Sequence, residues 1–240
     1  MGELVVIQTA DMHGRLTGQS ARTLAALKSE HRALLLDCGD ALDAANYLPK
    51  LSASRAAAAM SEAGYDAMAL GNREYGWRSG TLAAKLADLS FPVLAANLLA
   101  PPGVVSPVQA STVIERGGTR VGIFGLAPNM APAGSLAQRS SDIRFEDPVS
   151  AAEQALADLA GRCDVTIGLI HWGRSIAQQR DLVSSLAGLD LALMGHWHVN
   201  EGSLERIGET TISRCGAHAA QAAILRVCAD SWSQELVSLP

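Results

Sequence analysis

Five apolar runs in this 240-residue chain each break off at residues able to hold a cation, and this coincidence limits the possible folds more than any other feature. The segments are Asp11-Met12-His13, Gly39-Asp40, Gly71-Asn72, His171 and Gly195-His196-Trp197-His198, which together carry seven potential ligand side chains. Groups so far apart in sequence meet only if the strands before them end at one edge. That is where open α/β sheets gather their ligands.

The rest of the chain has the pattern this requires. Apolar runs bounded by Gly, Asn or Asp alternate with longer Ala/Leu segments, as strands alternate with helices. Strands are predicted near 3–8, 33–37, 67–70 and 92–96, with helices near 19–31, 51–64 and 79–88. A hairpin follows, 111–115 and 120–126, with Gly117-Gly118 supplying the positive φ angles of a tight turn. Asp147 is placed to cap a helix that Pro148 opens and that runs to about Gly161. Strand 164–170, helix 177–186 and strand 189–194 come next, then β-like stretches near 204–207, 210–214 and 220–228 and a last one at 235–239. The Pro-bearing stretches 101–107 and 128–132 read as loops, and no repeat or charge block divides the chain, so 1–240 is expected to form one domain.

Composition narrows the partners. A net charge of −5 with scattered Lys and Arg shows none of the basic footprint of a nucleic-acid binder, so no polymeric nucleic acid is expected. Cys38, Cys163, Cys215 and Cys228 are far apart and form no CxxC, which points to reduced, mostly buried thiols. The N-terminus enters a strand-like run without a signal-peptide pattern, and no stretch reaches the ~18 apolar residues of a membrane span. The expectation is a cytoplasmic protein with no membrane partner, or a periplasmic one if a signal peptide was removed.

The ligand types carry the chemistry. Asp11 and His13 share one side of an extended backbone, because side chains alternate with period two. Asp40 lies just past a strand and is the natural bridge between two ions, and the Asn72 amide oxygen is a neutral hard ligand. His171 closes an apolar strand, with Gly173 opening the loop after it. His196 and His198, at i and i+2 after a buried strand, allow one imidazole per ion. A pair of cations about 3.5 to 4 Å apart, held by Asp, Asn and His, is the working part of many phosphate-ester hydrolases. Arg73 and Arg174 are candidates for phosphate contact. Trp172, Trp197, Tyr75 and Trp77 stand in the motif loops, where they are candidates either to stack on a flat group or to pack in the core or rim. Glu74, Asp37 and Asp190 are candidates to orient ligand imidazoles. His31 and His218 lack ligand-like spacing and are set outside the site.

With these motifs, together with Asp37-Cys38-Gly39-Asp40, Phe91 to Asn97, Gly118 to Leu126 and Asp147 to Ala152, the chain resembles the calcineurin-type metallophosphoesterases. It is most similar to the catalytic domain of the 5'-nucleotidase and 2',3'-cyclic phosphodiesterase family. The resemblance implies a four-layer αββα sandwich, two mixed β-sheets flanked by helices. It implies two divalent metal ions (Mn, Zn, Fe or Mg, with Mn favoured). Asp11, His13, Asp40 and His198 would hold one, and Asp40, Asn72, His171 and His196 the other. The implied reaction is in-line attack by a metal-bridging hydroxide on a small, nucleotide-like phosphate ester.

Two departures from the family accompany it. Where the family has Gly-Asn-His-Glu, with an Asp three residues after the His, this chain has Arg73 and then Gly76, so the usual His-Asp dyad is missing. A UDP-diacylglucosamine pyrophosphatase of the wider superfamily is similar in carrying Gly-Asn-Arg. The nucleotide-binding C-terminal domain of the nucleotidases has no counterpart in these 240 residues. The alternatives are pyrophosphate, nucleotide-sugar or sulfur-ester hydrolysis at the same metals, and a catalytically weakened phosphate-binding scaffold.

Overall fold

Residues 4–43, 54–75, 78–99, 108–131, 134–228 and 231–240 are described by a computed structural model of the chain. In chain order the first half contains β1 (Val5–Thr9), α1 (Gly18–His31), β2 (Leu34–Asp37), α2 (Arg55–Ala63), β3 (Ala67–Ala69), α3 (Ser79–Leu86), β4 (Val93–Leu94), β5 (Leu98–Leu99), β6 (Val108–Gln109), β7 (Ser111–Arg116) and β8 (Thr119–Leu126). The second half contains α4 (Leu136–Ser140), β9 (Arg144–Phe145), α5 (Pro148–Leu159), β10 (Val165–Ile170), α6 (Ile176–Ser184), β11 (Leu191–Met194), β12 (Ser203–Ile207), β13 (Thr210–Arg214), β14 (Gln221–Cys228) and β15 (Ser231–Ser238).

The long strands form two mixed sheets, in the orders β15-β14-β1-β2-β3-β4-β6 and β12-β13-β11-β10-β8-β7. Strands β1, β2, β3, β4 and β6 are parallel, with β14 and β15 added antiparallel at one edge. In the second sheet β8, β10, β11 and β13 are parallel, and β7 and β12 close its edges antiparallel. The central strands β1, β2, β10 and β11 are mostly apolar because both their faces are covered. Val5 and Ile7 face a core shared with Leu24 of α1, Met60 of α2 and Leu82 of α3. Val6, Leu34 and Leu36 point the other way, onto Ile123, Ile167 and Leu193 of the second sheet. Beyond that sheet, Phe124 and Met194 pack on Ala155 of α5 and Leu182 of α6. The four layers are therefore helix, sheet, sheet, helix, as the resemblance implied.

Local chemistry fixes the boundaries. The side chains of Thr17, Ser54, Asp147 and Ser175 each accept a backbone N–H at the start of a helix, Asp147 with Pro148 directly behind it. The expected hairpin pairs Arg116 with Thr119, with Gly117 and Gly118 at φ 61° and 79°. Three features lay outside the sequence reading: β6 at the sheet edge, the β5–β9 pair and the short α4. Elements of two residues carry no periodicity to read. The last strand starts four residues earlier than expected, since β15 pairs with β14 over its whole length. The loop at 101–107, the first residues of the expected helix 51–64 and Pro132 lie outside the described residues. Cys38, Cys163 and Cys215 are free thiols, two of them buried, and the Cys228 side chain lies outside the description. No helix among the described residues is long and apolar enough to cross a membrane.

Candidate metal centre

The parallel strands β1, β2, β3, β10 and β11 deliver their C-terminal ends to one edge, and the segments singled out in the sequence follow them there. Asp40 has one oxygen 3.5 Å from His13 Nε2 and the other 3.5 Å from His171 Nε2. Asp11 Oδ1 lies 3.4 Å from His198 Nε2 and 4.0 Å from His171 Nε2, and both Asp11 oxygens accept the His196 N–H, at 3.0 and 3.2 Å. His196 Nδ1 is 3.2 Å from His171 Nε2. Two groups result, Asp11 with His13 and His198, and Asp11 with Asp40 and His171, each with its donor atoms within 4.8 Å of one another. Asn72 is buried on the loop after β3, between Gly71 and Arg73, whose backbone N–H groups bond Glu74 and Asp40.

This convergence needs a strained backbone. Among the described residues seven non-glycines have positive φ: Asp11, His13, Asp40, His196, His218, Ala219 and Arg32. Arg32 is a helix C-cap, and the other six stand at this edge. Residues held in the left-handed region cluster where function requires a side chain to be aimed. Glycines permit the close approach of the loops. A Cβ on Gly71 would sit 2.2 Å from Asp40 N, one on Gly39 2.8 Å from His171 Nδ1, and one on Gly195 2.8 Å from the Cys38 carbonyl oxygen.

Charge is concentrated and buried. The His171 Nδ1–H donates to the Cys38 carbonyl at 2.6 Å, which turns Nε2 toward the two aspartates. Burial alone would lower the pKa of this imidazole, but Asp40, then Asp11 and Glu74, raise it to about 10. Burial would raise the Asp40 carboxyl, yet the charge of His171, the adjoining imidazoles of His13 and His171 and the Arg73 N–H hold it below the usual carboxylate range. Burial and then the charge of His171 push His196 down to about 4, leaving it neutral, the form in which an imidazole ligates. A hydrogen bond to Asp11 raises His198.

The residues expected to orient imidazoles do something else. Glu74 binds loop backbone, accepting the N–H groups of Asp40 and Gly71 on one oxygen and of Leu42 on the other. Burial and then the charge of Asp40 push its carboxyl up to about 7, against which these three N–H groups stabilise the anion. Asp37 accepts the Thr9 hydroxyl and the Gly39 N–H. Asp190 accepts the Thr166 N–H at the opposite ends of β10 and β11, away from the site. The group that orients His171 is the Cys38 carbonyl, which no side-chain pattern reveals. Lys85, buried in α3, donates to the Arg73 and Tyr75 carbonyls and fixes the same loop from outside.

Tyr75 is not a stacking surface. It is buried, and its hydroxyl donates to the Pro128 carbonyl. Trp197 is 46% exposed, Trp172 is half-buried against the outer core, and Trp77 lies outside the described residues. Arg174 is exposed on the rim of a cavity of about 250 Å³ that it shares with Asn129, Met130, Trp172 and His196. His218 corrects the sequence reading: its ring centre is 5.1 Å from that of His13 and 5.0 Å from that of His198. The available signal was that Gly216-Ala217-His218 follows β13 much as Gly195-His196 follows β11.

No family model matches the chain. Among curated proteins it is 30% identical to a probable 5'-nucleotidase of Treponema pallidum over 190 residues, 76% of this chain and 31% of that protein. The chain thus spans about a third of the length of the curated relatives it matches. Among solved structures, a 5'-nucleotidase precursor from Thermus thermophilus superposes with a TM-score of 0.78 at 21% identity, over 99% of this chain and 54% of that one. A calcineurin-like phosphoesterase from Bacillus subtilis superposes with a TM-score of 0.73 at 14% identity, over 99% of this chain and 91% of that one.

Proposed function

We propose that this chain, a member of the calcineurin-like metallophosphoesterase superfamily, hydrolyses a phosphate ester of a small, nucleotide-like molecule. Asp11, His13, Asp40, Asn72, His171, His196 and His198 would hold two divalent ions for this purpose. The observation that carries the reading is Asp40, whose two oxygens face His13 on one side and His171 on the other, at 3.5 Å each.

The residues fit such ions. Hard carboxylate and amide oxygens mixed with imidazoles suit manganese, iron or zinc. His13 Nε2 is buried with no hydrogen-bond partner among the described residues, its nearest acidic oxygen being that of Asp40 at 3.5 Å. Two buried aspartates, Asp11 and Asp40, face His171 Nε2 at 4.0 and 3.5 Å, an arrangement to which a cation in place of the imidazole proton is favourable. When bound, the ions would supply Lewis acidity toward the phosphoryl oxygens and make water nucleophilic at neutral pH.

Arg73 would grip phosphoryl oxygens with its planar fork, its backbone tied to Asp40 at 2.7 Å. A guanidinium keeps its proton at any working pH, so Arg73 orients the substrate and passes no proton to a leaving alkoxide. Activated esters, cyclic diesters and diphosphates are therefore the preferred substrates. Arg174, beside His196, would hold a further anionic oxygen, and Trp172 and Met130 in the same cavity would exclude water from the leaving group.

Turnover of bis-p-nitrophenyl phosphate and p-nitrophenyl phosphate, with manganese and after chelation, tests the reading. Hydrolysis that requires both metal and Asp40, lost in Asp40→Ala, is expected. Two bound ions without turnover of either ester would replace it with a phosphate-binding scaffold.

A further inference from the structure

We propose that His218 is an additional ligand of the ion held by Asp11, His13 and His198, and that this third imidazole biases the position toward zinc, cobalt or iron over manganese and magnesium. The inference rests on the two-ion reading above and adds a residue and a selectivity to it.

Three observations carry it. The first is spacing. Imidazoles bound at about 2.1 Å around one tetrahedral ion have ring centres about 5 Å apart. The rings of His13, His198 and His218 are separated by 4.7, 5.1 and 5.0 Å, with interplanar angles of 67°, 72° and 81°. The second is the backbone. His218 has φ 64° and Ala219 φ 56°, the same left-handed conformation that aims Asp11, His13, Asp40 and His196. The His218 N–H donates to the Asp11 carbonyl at 2.9 Å, so the loop after β13 is fastened to the loop that carries two of the proposed ligands. The third is an unmet polar group, since His218 Nδ1 is buried with no hydrogen-bond partner among the described residues.

The donor atoms of Asp11, His13 and His198 already lie within 4.8 Å of one another, and the His218 nitrogens lie outside that set. A half-turn about χ2 exchanges the nitrogen and carbon edges of an imidazole while leaving the ring in place, and this is the adjustment that ligation requires. Selectivity follows from ligand type: imidazole suits zinc, iron and other transition ions, whereas carboxylate and water suit magnesium and manganese. With His218, one position has three imidazoles and the other two.

Cobalt(II) is the probe, because its visible spectrum reports ligand number without any turnover. The metal-stripped 240-residue protein, its His218→Phe variant and a His31→Phe control are titrated with cobalt, then by calorimetry with zinc and manganese. Phenylalanine keeps a flat ring and removes both nitrogens. The expected result is a cobalt spectrum altered in His218→Phe alone, with zinc affinity at that position at least ~10-fold weaker and manganese affinity nearly unchanged. An unaltered spectrum and zinc affinity in a folded His218→Phe would overturn the inference and leave the two-ion reading standing. Failure of the unsubstituted protein to bind any ion would overturn both. Should His218→Phe not fold, X-ray absorption of the unsubstituted cobalt protein decides, by a fit to three imidazoles or to two at the first ion bound.

Discussion

Gly71 is the position where one methyl group should do the most damage. A Cβ there would lie 2.2 Å from Asp40 N, 2.4 Å from Asp40 Oδ1 and 2.7 Å from Glu74 Oε2, whereas ordinary contact begins near 3.4 Å. Asp40 N is backbone and the two carboxylate oxygens are each held by backbone N–H groups, so the Asp40 backbone must withdraw by about 1 Å to reach normal van der Waals separation. Withdrawal breaks the Asp40 N–H bond to Glu74 at 2.9 Å and strains that from Arg73 N–H to Asp40 at 2.7 Å. Gly71 does not have positive φ, so alanine is conformationally acceptable and the effect is purely steric. Overpacking of this kind costs about 1–3 kcal/mol, which for a domain of this size lowers Tm by roughly 2–12 °C. Displacing a catalytic group by about 1 Å costs on the order of 10²-fold in rate. Thermal melts and metal-dependent hydrolysis of bis-p-nitrophenyl phosphate on Gly71→Ala measure both effects. Gly80→Ala is the control: a Cβ there meets nothing within 4 Å in α3, and alanine favours a helix by up to about 1 kcal/mol. Full turnover and an unshifted Tm in Gly71→Ala would refute the view that glycine contact positions Asp40.

Two further outcomes follow from the same geometry. Glu74→Gln places an amide NH₂ against at least one of three backbone N–H donors, so a loss of about 1–3 kcal/mol is expected by chemical denaturation, with weaker binding of the second manganese by calorimetry; a melt equal to the parent's would count against the role given to Glu74. Glu205 bonds Arg180 and Arg214 at 2.9 and 2.6 Å, and although burial acts to raise its pKa, these partners hold it below 4.5. A depressed carboxyl stabilises the fold above its unfolded pKa and loses that contribution as pH falls through its folded value. Melts of the parent and Glu205→Gln should therefore keep a constant gap from neutral pH to about 4.5 and converge only as pH falls below it, and a gap that persists there would exclude this pair as a source of acid sensitivity.

Much of the fold was legible because local rules and tertiary demands agreed. The runs 34–36 and 191–194 are apolar throughout and 165–170 is broken only by Thr166 and Gly168, which suits strands buried on both faces, and Asp147-Pro148 starts a helix by its own chemistry. Where elements shrink to two residues, as in β5, β6 and β9, pairing partners alone define them. Between stacking and packing, Tyr75 is undecided in the sequence for a similar reason. Its position in a motif loop allows either, and the partner that decides for packing, the Pro128 carbonyl bonded to its hydroxyl, is 53 residues away.

The sequence by itself determined which side chains end the parallel strands, since Asp11, His13, Asp40, Asn72, His171, His196 and His198 each stand just past an apolar run whose strand character is local. Tertiary structure alone decided how those ends face one another. That Asp40 lies between His13 and His171, that a backbone carbonyl of Cys38 aims an imidazole, and that His218 joins the cluster from β13 all depend on distances across two sheets. Backbone polar groups are the same in every residue, and strand order is not written in any one segment. Such contacts arise only when packing brings distant loops to one edge.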